Sequence, residues 1–118
     1  MQKIFVMYRL KSGVNMDQYK QWSKEIDQRI TPGQPGLIRF EVYEIKGAER
    51  EQPFVEVVED IEVEDFEAWM ETCRQPGMAY VQETVGKFID ESTLKIIYGD
   101  RIISHLPPGA RPPLPGLA

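Results

Sequence analysis

The chain has 118 residues, 42% of them hydrophobic and 28% charged, the proportions of a globular protein with room for one core and not two. Its formal net charge of -5 offers no basic footprint for nucleic acid or an anionic membrane. Cys73 is the sole cysteine, which excludes an internal disulfide and makes a reducing cytoplasm the expected location.

The start, MQKIFVMYRLKSG, has one short apolar run broken by Tyr8 and Arg9, too brief and polar for a signal peptide. No stretch approaches the length that spans a membrane. Residues 2–10 are rich in β-branched and aromatic side chains and predict a first strand. After the turn Lys11-Ser12-Gly13, Asn15 and Gln18 have capping-box spacing, which satisfies free amides at a helix start. Met16, Tyr19, Trp22, Ile26 and Ile30 then form one apolar helix stripe, running to about Arg29. The Pro- and Gly-rich segment 31–36 ends it.

Residues 37–46 and 54–62 predict a second and a third strand, with 47–52 as a hairpin loop. Glu64, Asp65 and Glu67 stand where a helix dipole favours acids, ahead of the stripe Phe66, Trp69, Met70 and Cys73. Pro76-Gly77 breaks this helix, and Met78, Val81, Val85, Phe88 and Ile89 mark a third helical segment or a kinked continuation. Residues 93–98 predict the last strand, extendable to Ile103. The order β-α-β-β-α-β is the ferredoxin-like split pattern: an α+β fold with a four-stranded antiparallel sheet and two or three helices on one face. Residues 1–103 make that domain. Residues 104–118, with five prolines, cannot form a helix or central strand and read as an extended Pro-rich tail, whose LPPGARPPLP carries the PxxP spacing.

Strand side chains alternate between faces. Ile4, Val6, Tyr8 and Leu10, then Ile38, Phe40 and Val42, then Val55, Val57 and Ile61 are expected beneath the helices. The other face mixes Phe5, Met7, Leu37, Tyr43, Ile45, Phe54 and Val58 with Arg9, Arg39, Glu41, Glu56 and Asp60. Symmetric closure of the hairpin would set Tyr43 opposite Glu56, Glu41 opposite Val58 and Arg39 opposite Asp60. So apolar a face calls for a cover, and a second copy of the chain packed sheet to sheet supplies one. The alternative is an ordinary amphipathic sheet with one half-wet face.

The opening residues 2–14, the strand Phe40-Glu41-Val42-Tyr43, the segment 53–61 and the step Gln75-Pro76-Gly77-Met78 resemble the RedY-like proteins, also called the HapK family. The resemblance covers most of residues 1–98. It implies a dimeric α+β barrel and a cavity, between helices and sheet or between sheets, that holds a small molecule. It also implies prodiginine-type secondary metabolism, with wider relatives that are cofactor-free monooxygenases, cyclases and isomerases, or that bind haem. No fixed catalytic motif transfers with it, and the Pro-rich tail departs from the family pattern.

The residues themselves carry little chemistry that can be named. There is no phosphate-binding glycine loop after a strand, no GxSxG elbow and no HExxH. His105, the sole histidine, could serve as a general base or a haem ligand if the tail folded back; otherwise it is solvated. Cys73, on an apolar stripe, reads as an inert buried thiol. On the mixed face, Arg9 could clamp an anion or carbonyl, Glu56 accept a proton and Tyr43 donate one. The same charges could instead be an ion-pair network that fixes the dimer register. Phe5, Met7, Glu41 and Val58 would line a ligand site there. Trp22, with Tyr19 and Trp69, would wall a cavity or simply fill the core. Glu56 and Asp60 stand about 13 Å apart along one strand, too far to share a metal ion. The expected function is binding and cofactor-independent transformation of a small aromatic or pyrrolic metabolite by a homodimer, without metal or nucleotide. The competing expectation is a non-catalytic homodimeric binding or scaffold protein.

Overall fold

The computed structural model describes residues 1–102. His105 and the Pro-rich segment 104–118 lie outside them, as does Ile103. Four strands, β1 (Gln2–Leu10), β2 (Leu37–Glu44), β3 (Val57–Val63) and β4 (Ile89–Asp100), form one antiparallel sheet in the order β2-β3-β1-β4. With helices in both crossovers, this is the ferredoxin-like arrangement predicted from the element order. No described helix is long and apolar enough to cross a membrane.

The first helix begins as its cap foretells. Asn15 Oδ1 accepts from the Gln18 amide at 2.8 Å, and Gln18 Oε1 accepts from the Asn15 amide at 2.9 Å. Helix α1 (Met16–Trp22) then widens into a π-helical turn (Ser23–Asp27) before the single α-turn α2 (Gln28–Ile30). Past the 3₁₀ turn Thr31–Gly33, Gly36 adopts φ +86°, a left-handed conformation open to glycine, and feeds the chain into β2. Helix α3 (Phe66–Cys73) is capped by Asp65, whose carboxylate accepts from the Ala68 amide at 2.9 Å. Pro76 opens a 3₁₀ turn (Pro76–Met78) that leads into α4 (Ala79–Val85). The predicted third helical segment stops short of Phe88 and Ile89: Gly86 ends α4, and Ile89 begins β4 as a core residue.

The core face of the sheet is the predicted one at Ile4, Tyr8, Leu10, Val55, Val57 and Ile61, all buried. Three details differ. A register irregularity between Leu37 and Arg39 turns Leu37 onto the core and leaves Ile38 half exposed. The β2–β3 register also slips by two residues from the symmetric closure, pairing Tyr43 with Val58, Glu41 with Asp60 and Arg39 with Glu62. The connection is longer than the predicted hairpin loop, because β3 starts at Val57 and Phe54 stands exposed outside it. A slip of two keeps every side chain on its face. It does place two acids opposite each other, and cations answer: Lys3 Nζ lies 2.8 Å from Asp60 and Arg39 Nε 3.3 Å from Glu41.

Candidate functional site

The helices do not close completely on the sheet, and a cavity of about 220 Å³ remains between them. Ile4, Val6 and Ile61 floor it, and Trp22, Trp69, Met78 and Val81 form its helical wall. Leu94 and Ile96 of β4 line it while standing 39% and 41% exposed, and so does the exposed Gln82 of α4, so the cavity is open beside the edge strand and that helix. Trp22 is fixed there by an indole N–H bond to Thr84 Oγ1 at 2.8 Å and by stacking on Phe88.

The inner wall carries a cluster of polar groups. Along β3, the face that supplies Val57, Ile61 and Val63 to the core also presents Glu59. Tyr8, beside it on β1, donates its hydroxyl to Glu59 Oε2 at 2.7 Å and lies 2.5 Å from the hydroxyl of Tyr19 on α1. With Tyr8 donating to the carboxylate, Tyr19 is the donor of the second bond. Asp27, buried at the end of the π turn, accepts from Thr31 Oγ1 at 2.5 Å and lines the same cavity. Single π-helical turns inside α-helices are often found at functional sites.

Burial dominates the electrostatics. It pushes the Glu59 carboxyl up to about 8, with repulsion from Asp27 adding to the rise and the Tyr8 bond opposing it. Burial also moves Asp27 up, to about 6, against the Thr31 bond. Both carboxyls are thus raised by burial, and because each disfavours the other's charge they titrate as a pair, one proton being held more tightly than in either isolated group. Burial and the nearby Glu59 charge hold both tyrosine hydroxyls well above the ordinary phenol range. Cys73, also lining the cavity, has its thiol pushed up to about 11 by burial and then by Glu59.

The candidates picked out in the sequence divide between two places. Trp22 lines the cavity. Arg9, Tyr43, Glu56, Phe5, Met7, Glu41 and Val58 do not; they belong to the opposite face of the sheet or its rim. There Arg9 Nη2 donates to the Pro53 carbonyl at 2.6 Å and stands 4.0 Å from Glu56, which accepts from the Leu10 amide at 3.2 Å. Tyr43 donates to Glu41, which raises the Tyr43 hydroxyl pKa. Phe5 is paired with Ile97, and Met7 with Val58, which is paired in turn with Tyr43. His105 lies outside the described residues. Among the described residues, no group of three His, Cys, Asp or Glu is placed to hold a metal ion.

Sequence reasoning passed over Tyr8, Asp27 and Glu59 as functional residues. A signal for Glu59 was present: an acid among Val55, Val57 and Ile61 on a strand face otherwise wholly apolar. Asp27 gave none, because its inward direction depends on the π turn.

The fold is shared with solved structures of low sequence identity. HapK from Hahella chejuensis superposes with a TM-score of 0.72 at 19% identity, over 92% of this chain and 100% of that one. An ethyl tert-butyl ether d (ethd) family protein from Bacillus halodurans gives 0.69 at 17% identity, over 86% and 99%. A dimeric protein of unknown function with a ferredoxin-like fold from Bacteroides fragilis gives 0.63 at 11%, over 85% and 95%. No curated protein matches the sequence. The family model described as REDY-like protein HapK matches residues 2–102, nearly all of the described chain, and the chain belongs to that family.

Proposed function

We propose that the cavity binds a small planar aromatic or pyrrolic metabolite and moves a proton on it without metal or nucleotide, in the manner of an isomerase or cyclase of secondary metabolism. The observation that carries this reading is the placement of two carboxyls, the buried Asp27 and the half-buried Glu59 bonded to Tyr8, on the wall of a cavity otherwise lined mainly by apolar side chains. A ligand proton would pass to Asp27, and the Glu59 acid would supply one to a carbonyl or ring nitrogen. Size bounds the ligand. A dry cavity of about 150 Å³ admits benzene, so 220 Å³ suits a bicyclic ring rather than a long chromophore.

The second part of the proposal is a homodimer formed by the open sheet face. Ile97 is 55% exposed and Tyr43 47%, on a face that also carries Phe5, Met7 and Val58. In this reading Arg9, Glu41, Tyr43 and Glu56 fix the register of the pair as ion pairs and hydrogen bonds rather than act on substrate. Dimeric relatives of the same fold support it.

Native mass spectrometry of the freshly purified protein tests both parts. A dimer is expected, with a co-purifying adduct or uptake of added indole that Val81→Trp abolishes by filling the cavity. Ile97→Asp should give a monomer. Wild-type protein that is monomeric at micromolar concentration would end the dimer reading, and indole uptake indifferent to Val81→Trp would end the cavity reading.

A further inference from the structure

We propose that Tyr8 and Tyr19 form a two-hydroxyl proton relay joining Glu59 to a separate cleft on the outer side of the first helix. This extends the acid–base reading of the cavity and rests on it. The geometry gives the relay two ends. Tyr8 lines the inner cavity together with Glu59, and Tyr19 does not. Tyr19 instead lines a second recess of about 120 Å³ with Lys20, Ser23 and Gln28 of the helix and Val42 and Glu44 of β2. Tyr8 is 1% exposed and Tyr19 2%, so the pair of rings is the partition between the two spaces. Hydroxyl-to-hydroxyl contact at 2.5 Å and hydroxyl-to-carboxylate contact at 2.7 Å make the partition continuous for protons while it stays closed to water.

The outer end is polar. Gln28 Nε2 donates to Ser23 Oγ at 3.2 Å, and Lys20 pairs with Glu44 at 2.6 Å on the rim. The inner end is enclosed by Tyr8 from β1, Asp27 from the π turn and Cys73 from α3. A ligand in the cavity would displace water from the mouth at Leu94, Ile96 and Gln82, leaving the tyrosine pair as the route by which Glu59 recovers a proton.

The step balances. After Glu59 has given its proton to the ligand, Tyr8 passes its hydroxyl proton to the Glu59 carboxylate and takes the proton of Tyr19. Tyr19 is refilled from solvent in the outer cleft. One proton enters at the cleft, one has left into the cavity, and no bond other than O–H is broken. The transfer is concerted, since a free tyrosinate on either ring would be a buried charge without a cationic partner.

The test is the rate at which Glu59 changes protonation after a pH jump across neutrality, read from the carbonyl infrared band of its acid form. The full chain is measured with and without saturating indole. Tyr19→Phe keeps the ring and removes one link; it should slow the relaxation at least tenfold with indole bound and less without it, when the open cavity also admits water to Glu59, with the titration midpoint little moved. Tyr8→Phe breaks the other link and should slow the relaxation likewise, with the midpoint raised because the bond that held the Glu59 carboxyl down is lost, which covers the case in which one variant does not fold. A merely structural role for either hydroxyl would alter the midpoint or stability and leave the rate alone. Equal rates in wild type and the folded variant with indole bound would overturn the relay. Failure of indole to bind would overturn the cavity reading and with it the relay that rests on it, whereas binding with unchanged rates would overturn the relay alone.

Discussion

Glu59→Gln tests the physical state of the site directly. The carboxyl is raised from 4.5 to about 8 in the folded chain. A group whose folded pKa is raised contributes its full stabilisation below the unfolded value and loses it as pH climbs through the folded one. The folded protein should therefore weaken between about pH 5.5 and 8, by at most about 3 kcal/mol from this residue alone. For a domain of this size that is roughly ten degrees in Tm. The substituted amide would still accept the Tyr8 hydroxyl, has nearly the same volume and does not titrate. Wild type and Glu59→Gln should have similar stability near pH 4, below the unfolded value, and the variant should be the more stable near pH 8.5. Urea unfolding across that range measures the difference, and subtracting the two curves cancels the general effect of a rising negative charge. Parallel curves would refute the reasoning, because they would mean that Glu59 is ionised and solvated in the fold.

Two further outcomes follow from buried groups beside the cavity. Thr84→Val is nearly isosteric but leaves the indole N–H of Trp22 without its partner; it should cost about 1–3 kcal/mol in urea unfolding, with the indole fluorescence shifted. Cys73, with its thiol pushed up to about 11, should react with an aromatic disulfide reagent at pH 8 far more slowly than in the urea-unfolded chain. Equal labelling rates would show the thiol to be solvated and unperturbed.

Much of the fold was legible because it is carried by local rules. The Asn15–Gln18 capping box, the helix stripes and the two-residue alternation of β1 and β3 each depend on a few consecutive residues, and the structure keeps them. The β2–β3 register was not, since the hydrophobic pattern fixes which face a side chain takes and tolerates a slip of two. The site was the least legible part. The mixed sheet face drew attention because its charges sit among apolar neighbours, yet described partners in the same chain already engage them: Pro53 and Glu56 hold Arg9, and Glu41 holds Tyr43.

What the sequence determined by itself was the order of elements and the core face of the sheet along β1 and β3. What only the tertiary structure decided is that Glu59 meets Tyr8, Tyr19 and Asp27 around a cavity. Tyr8 and Glu59 are 51 residues apart, and the antiparallel pairing of β1 with β3 brings them together. Asp27 turns inward through a π turn that no residue pattern announced. Periodicity reports which way a side chain points. Whether an ionisable group is desolvated depends on everything packed around it, and that is a property of the assembled fold.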